Sequence, residues 1–178
     1  MARKDLESDF RKEVKEYFSE INAAGVFKTH VSWIESHETS PGIPDIEYCI
    51  SDSYGIGCRV NNVELKVLGH SMEVRSSQLL WFRERVKAGG LPFLLIKVPI
   101  DSPRVVEVSA GVTRGVLSKE ELIPGVYAIP GSKVEYLFDN PNARGIYGCN
   151  PALISNIEHL SIMLMNTGML YEHNKKTI

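Results

Sequence analysis

Apolar residues fall at helical spacing at the start of the chain and then at spacing two. Leu6, Phe10, Val14, Tyr17, Phe18 and Ile21 lie one helical turn apart or nearly so, which predicts a helix over roughly 5–23, stopped by Gly25. The β-branched and aromatic residues of 26–34 predict a strand. A polar loop follows, with Thr39-Ser40-Pro41-Gly42 as its turn. Ile46-Glu47-Tyr48-Cys49-Ile50 reads as the next strand. In the stretch from Cys58 to Val67, Val63, Leu65 and Val67 alternate with Glu64 and Lys66. Strand side chains alternate faces, so Glu64 and Lys66 share one face and the three apolar residues turn to the core. A helix is predicted over roughly 71–88, carrying Val74, Leu79, Trp81, Phe82 and Val86 and stopped by Gly89-Gly90. The nearly continuous apolar run 91–98 predicts a buried strand. Helix, strand, strand, strand, helix, strand is the order of a mixed α/β sheet flanked by helices.

Beyond about residue 101 the pattern predicts strands at Val105–Val108, Val126–Pro130 and Val134–Phe138, and a last helix opened by Asn150 and Pro151. Leu153, Ile157, Leu160 and Leu164 form that helix's apolar stripe; such a stripe is usually core, and a homodimer seam is the sharper alternative. The chain thus divides into 1–100 and a C-terminal extension, 101–178, packed on the first part or at a dimer interface. The tail from Tyr171 is polar and expected to fray.

Composition changes this picture little. A chain of 178 residues suits one core of useful size. With 20 basic and 22 acidic residues it is not a polycation. Between Arg59 and Lys97, however, seven basic residues face three acids, a local excess of the kind a phosphate-binding surface needs. A solvated helix face gives the same count. The three cysteines, Cys49, Cys58 and Cys149, form no CxxC and read as free thiols in a reducing compartment. Met1-Ala2-Arg3-Lys4-Asp5 is followed by no apolar leader, and no apolar run is long enough to span a membrane. The expected setting is the cytoplasm of a bacterial or phage-infected cell.

The chemistry lies in Pro44-Asp45 and Glu64-Leu65-Lys66. If the strands after Asp45 and before Lys66 pair, Asp45 sits beside Glu64. Two carboxylates suit a hard divalent cation such as Mg2+, with Mn2+ as a substitute, and the Leu65 backbone carbonyl is a further oxygen ligand. Lys66 then holds an attacking water or a phosphate. That set matches the needs of phosphodiester hydrolysis. By itself it also describes a surface hairpin bearing an Asp, a Glu and a Lys. Arg75 and Gln78 follow close after Lys66, one helical turn apart.

Gly42-Ile43-Pro44-Asp45-Ile46, Val63-Glu64-Leu65-Lys66-Val67, Ser77-Gln78-Leu79-Leu80-Trp81-Phe82 and Gly89-Gly90-Leu91-Pro92-Phe93-Leu94-Leu95 together resemble the PD-(D/E)XK nuclease superfamily. The likeness is greatest to its VRR-NUC branch and to related phage-encoded nucleases of the Holliday-junction-resolvase kind, and it covers about residues 5–98. It implies a restriction-endonuclease-like fold, magnesium-dependent cleavage of DNA leaving 5′-phosphate and 3′-hydroxyl ends, and action on branched DNA as a dimer. It also implies that Gln78 orients groups at the site and that a first-helix glutamate joins it. Position beside the apolar stripe favours Glu7 over Glu13, with Glu16 and Glu20 turned to solvent, and ordinary helix-surface acids are the alternative for all four. Trp81 is expected in the core rather than as a base platform. His37 and Glu38, in the loop before the motif, fit solvated positions better than DNA contacts.

No base-reading helix stands out, so a structure-selective endonuclease acting on a junction or flap is the leading expectation. A sequence-specific restriction-type or nicking nuclease would use the same residues, with 101–178 as its recognition element. A non-catalytic DNA-binding module of the same fold is the third reading, and the intact Asp45, Glu64 and Lys66 speak against it.

Overall fold

The protein is described from a computed structural model, which places residues 3–25, 27–34, 42–52, 59–101, 105–118, 122–139 and 152–154. Helix α1 (Arg3–Ala24) leads into strands β1 (Phe27–Trp33), β2 (Ile46–Asp52) and β3 (Arg59–Val67). The short strand β4 (Ser71–Val74) runs directly into helix α2 (Ser76–Lys87), which is followed by β5 (Phe93–Val98). Next come β6 (Val105–Ala110), β7 (Thr113–Ser118), β8 (Gly125–Pro130), helix α3 (Val134–Asp139) and β9 (Ala152–Ile154). The molecule is mixed α/β, with the helix, strand, strand, strand, helix, strand order present and β4 added to it.

Two mixed sheets form the frame. The larger runs β1-β2-β3-β5-β8-β9 and is antiparallel throughout except for the parallel pair β3–β5. The smaller runs β4-β6-β7, with β4 parallel to β6 and β6 antiparallel to β7. The extension expected over 101–178 is therefore woven into both sheets: β8 and β9 continue the sheet of β3, and β6 pairs with β4.

Strand alternation divides the core in two. Phe10, Val14, Phe18 and Ile21 of α1 cover one face of the large sheet, meeting Ile46, Tyr48, Ile50, Val63, Leu65, Val67, Phe93 and Leu95. On the other face Leu94, Ile96, Val98, Tyr127 and Ile129 meet Phe82, Val134, Leu137 and Phe138, together with the inner side of the small sheet, Met72, Val74, Val106, Val108 and Ala110. Trp81 is partly buried against this second cluster and stands edge-on to Phe82, as a core residue. Glu64 and Lys66 lie on the second face, opposite α1.

Four expectations are corrected. The helix read from residue 71 begins at Ser76; Met72 and Val74 are buried while Glu73 is exposed, the period-two signature of a strand. Val134–Phe138 is not a strand but the body of α3. Its β-branched and aromatic residues suggest a strand, yet Val134, Leu137 and Phe138 are buried at helical spacing. Ala152–Ile154, placed in a last helix by the cap at Asn150, is an edge strand antiparallel to β8. The rest of that helix, with Ile157, Leu160 and Leu164, lies outside the described residues, as do His37 and Glu38. Lastly, Cys49 is not a free thiol but disulfide-bonded; Cys58 and Cys149 lie outside the described residues.

Among the described residues no helix is long and apolar enough to cross a membrane.

Candidate active site

The site forms where β2 parts from β3. The last paired residues are Ile46 and Val63, so one step further Asp45 faces Glu64. Here the ladder is completed by a side chain: the Leu65 N–H donates to Asp45 Oδ2 at 2.9 Å. In a strand the N–H and C=O of one residue point to the same side, so the Leu65 carbonyl also turns toward the gap beside Asp45. The Asp45 main chain stays tied to the neighbouring strand, its carbonyl accepting from Ile34 N at 2.9 Å.

The lead-in to Asp45 is held from the other side. Gly42 has φ +104°, a left-handed conformation that glycine adopts freely. A Cβ there would stand 2.6 Å from the Ser77 carbonyl oxygen, inside the first turn of α2. The loop carrying Asp45 and the helix carrying Gln78 thus meet backbone to backbone.

Gln78 joins the helix to the strand. Its Oε1 accepts the Arg75 N–H at 3.0 Å, and its Nε2 donates to Glu64 Oε1. Because a backbone N–H can only donate, the first bond fixes the amide's orientation and aims the NH2 at Glu64. Lys66 Nζ reaches the same Glu64 oxygen at 2.7 Å. Glu64 is almost wholly enclosed, with 3% of its side chain exposed against 12% for Lys66. Burial raises the Glu64 carboxyl to about 7, aided by the charge of Asp45 and opposed by Lys66 and by the bond from Gln78. A cation set between Asp45 and Glu64 would offset both the burial and the like-charge repulsion.

Asp45, Glu64, Lys66 and Gln78 are therefore brought together, with the Leu65 carbonyl beside them. The first-helix acids stand differently. Glu13 is bonded on the α1 face: Tyr17 Oη donates to its Oε1 at 2.7 Å, and Lys97 Nζ donates to its Oε2. Burial and Glu13 together raise the Tyr17 phenol. Glu7 is half-buried in the first turns of α1. Its neighbour Leu6 lies where a Cβ on Gly69 would touch it, at 3.8 Å. This puts Glu7 at the same end of the sheet as the site, though on the helix covering the opposite face. Glu16 and Glu20 are exposed, as expected.

Two residues that the motif does not include share the face of Glu64. Glu47 pairs with Asn62 across β2 and β3, two residues along each strand from the Asp45–Glu64 position. Asn62 is buried, and its Oδ1 has no hydrogen-bond partner. Period-two alternation reaches Asn62 backward from Glu64 and Glu47 forward from Asp45. Among the described residues no three His, Cys, Asp or Glu side chains are already gathered as a metal cage. The donors on hand are two carboxylates and a carbonyl, all hard oxygens, a set that suits magnesium retaining several waters.

Compared with known proteins, the chain matches no family model and no curated protein.

Proposed function

We propose that this protein is a metal-dependent endodeoxyribonuclease, acting on branched DNA such as a four-way junction or a flap. The observation that carries the reading is the convergence of Asp45, Glu64 and Lys66 at the point where β2 leaves β3, with Gln78 braced against Glu64. The motif's resemblance to PD-(D/E)XK nucleases, and the restriction-endonuclease-like fold it implies, support the same conclusion.

Asp45, Glu64 and the Leu65 carbonyl would hold magnesium, which when bound supplies charge neutralisation at the phosphate and at the leaving oxygen. Lys66, whose Nζ lies 2.7 Å from Glu64 Oε1, would orient the attacking water or a non-bridging phosphate oxygen. Gln78 keeps Glu64 from turning away. Its donated bond also favours the ionised carboxylate that a cation requires. At the same end of the sheet Arg11 and Lys15 lie 5.4 and 4.9 Å from the Trp33 ring centroid, a basic rim suited to the DNA backbone. The disulfide at Cys49 argues for a more oxidising setting than the cytoplasm of a bacterial or phage-infected cell. Two cuts across a symmetric junction would need two sites, and hence a homodimer.

The test is incubation with linear duplex, single-stranded, flap and four-way-junction DNA in magnesium, manganese or EDTA, beside Lys66→Ala. Metal-dependent cutting of branched DNA that Lys66→Ala abolishes is expected. No metal-dependent cutting of any substrate would overturn the reading. Cutting that survives Lys66→Ala would overturn the site.

A further inference from the structure

The hairpin between β6 and β7 plays no part in the chemistry above, yet the fold places its tip beside the catalytic end. Parallel pairing sets Val74 against Ala110, so the residues that follow each, Arg75 and Gly111, leave the small sheet side by side. Gly111 then packs on α2: with φ +58°, a Cβ there would stand 2.7 Å from Ser76 Oγ. Ser76 is next to Arg75, whose N–H holds the Gln78 that holds Glu64. Only two residues, Gly111 and Val112, join Ala110 to its partner Thr113. A tight turn clamped in this way is a stiff projection with a fixed position relative to Glu64.

At its apex stands Val112, 100% exposed. Exposed apolar residues are common singly, but this one sits on a turn packed against Ser76, next to the Arg75 whose N–H holds the Gln78 bonded to Glu64. Two exposed arginines flank it, Arg75 before α2 and Arg114 on β7. The outer face of the small sheet behind the tip is different. It is an open depression of about 590 Å³ whose lining includes Glu73 and Glu107 along with Arg114. Arg114 offsets one of the two acids and stands one residue past the turn, so phosphate contact on that face is favoured only at its tip end, beside Arg75.

We propose that the β6–β7 hairpin reads the branch point of the DNA, with Val112 packing on bases left unstacked there and Arg75 and Arg114 engaging the flanking phosphates. This rests on the nuclease reading and deepens it by naming what selects branched over linear substrate. Apolar side chains that enter an opened base step are a known way of binding distorted duplexes, and an existing branch has already met the cost of unstacking.

The test compares wild type, Val112→Ser and Val112→Leu in single-turnover cleavage of a flap and of a linear duplex. 2-Aminopurine at the branch reports unstacking in EDTA. Val112→Ser is expected to slow flap cleavage about tenfold, the value of one buried valine side chain, and to dim the 2-aminopurine signal. Linear-duplex cleavage and melting temperature should not change, and Val112→Leu should restore the flap rate. Wild-type flap cleavage and fluorescence in Val112→Ser would overturn the hairpin's role and leave the nuclease reading standing. Equal cutting of flap and linear duplex by wild type would do the same. Failure of wild type to cut any DNA with metal would overturn both.

Discussion

Gly42 lies against the backbone of Ser77, close enough that a Cβ would stand 2.6 Å from the Ser77 carbonyl oxygen. Three residues after Gly42 comes Asp45, and one after Ser77 comes Gln78. The contact therefore sets the spacing between the acid that caps Leu65 and the amide that braces Glu64. It also explains why Gly42 belongs with Pro44 and Asp45 in the motif.

Gly42→Ala should accordingly lose both stability and activity. The residue needs a left-handed backbone, costing roughly 1–3 kcal/mol for a non-glycine, and must also push the loop off α2. Gly89 is a suitable control, with φ +83° but nothing within 4 Å of the point a Cβ would occupy. Thermal denaturation should show a larger drop for Gly42→Ala than for Gly89→Ala, and only Gly42→Ala should slow metal-dependent cleavage. Equal drops would mean that the approach to Ser77 does not matter.

Glu64 gives a pH dependence whose sign is set by burial. Its carboxyl rises from 4.5 to about 7 on folding, so between those values the folded state binds the proton that the unfolded chain has released. Stability then falls as pH climbs from about 4.5 to 7 and levels off above, by about 3 kcal/mol in total. Glu64→Gln has no such proton. In urea melts at pH 5 and pH 8, the variant should gain on wild type at the higher pH by most of that amount. A difference that is constant with pH would show Glu64 ionising as it does in water.

How much of this was legible in the sequence follows from the range of each signal. The faces of β3 were legible because period two is local to Val63–Val67, and the motif's two halves were legible because each lies on one short segment. The orientation of the Gln78 amide was not, since it depends on the Arg75 N–H at the helix start. The small sheet was hidden for a different reason. Its central pairing joins Ser71–Val74 to residues 107–110, with a helix and a strand between them, and four residues of β4 read as the first turn of α2. In α3, local propensity pointed to a strand and tertiary burial of Val134, Leu137 and Phe138 settled the helix. Cysteine spacing carries no pairing information, so the bond at Cys49 left no trace in the sequence.

The two first-helix acids should separate in function. Glu13 is engaged with Lys97 and Tyr17 on the α1 face, and the Lys97 pair is about 30% exposed on each side. Glu13→Gln should cost no more than about 1 kcal/mol and leave cleavage close to wild type. Glu7, at the site end of α1, should reduce magnesium-dependent cleavage when changed to Gln, with little change in melting temperature. The reverse ranking, in single-turnover rates at saturating magnesium, would favour Glu13 over Glu7 as the first-helix acid that serves the site.

Metal binding should register as stability even before any DNA is cut. Asp45 and Glu64 face each other with one buried carboxyl raised to about 7. A divalent cation must displace that proton, so its affinity should rise as pH passes through about 7 and then flatten. A cation bound only by the folded state raises the melting temperature in step with its occupancy. Magnesium should therefore stabilise wild type more at pH 8 than at pH 6. Asp45→Asn and Glu64→Gln should both lose the effect, one by removing a charged ligand and the other by removing the carboxylate that titrates. Glu13→Gln should keep it. A magnesium shift of equal size at both pH values, or one that survives Asp45→Asn, would place the cation elsewhere on the protein and remove Asp45 from the proposed metal site.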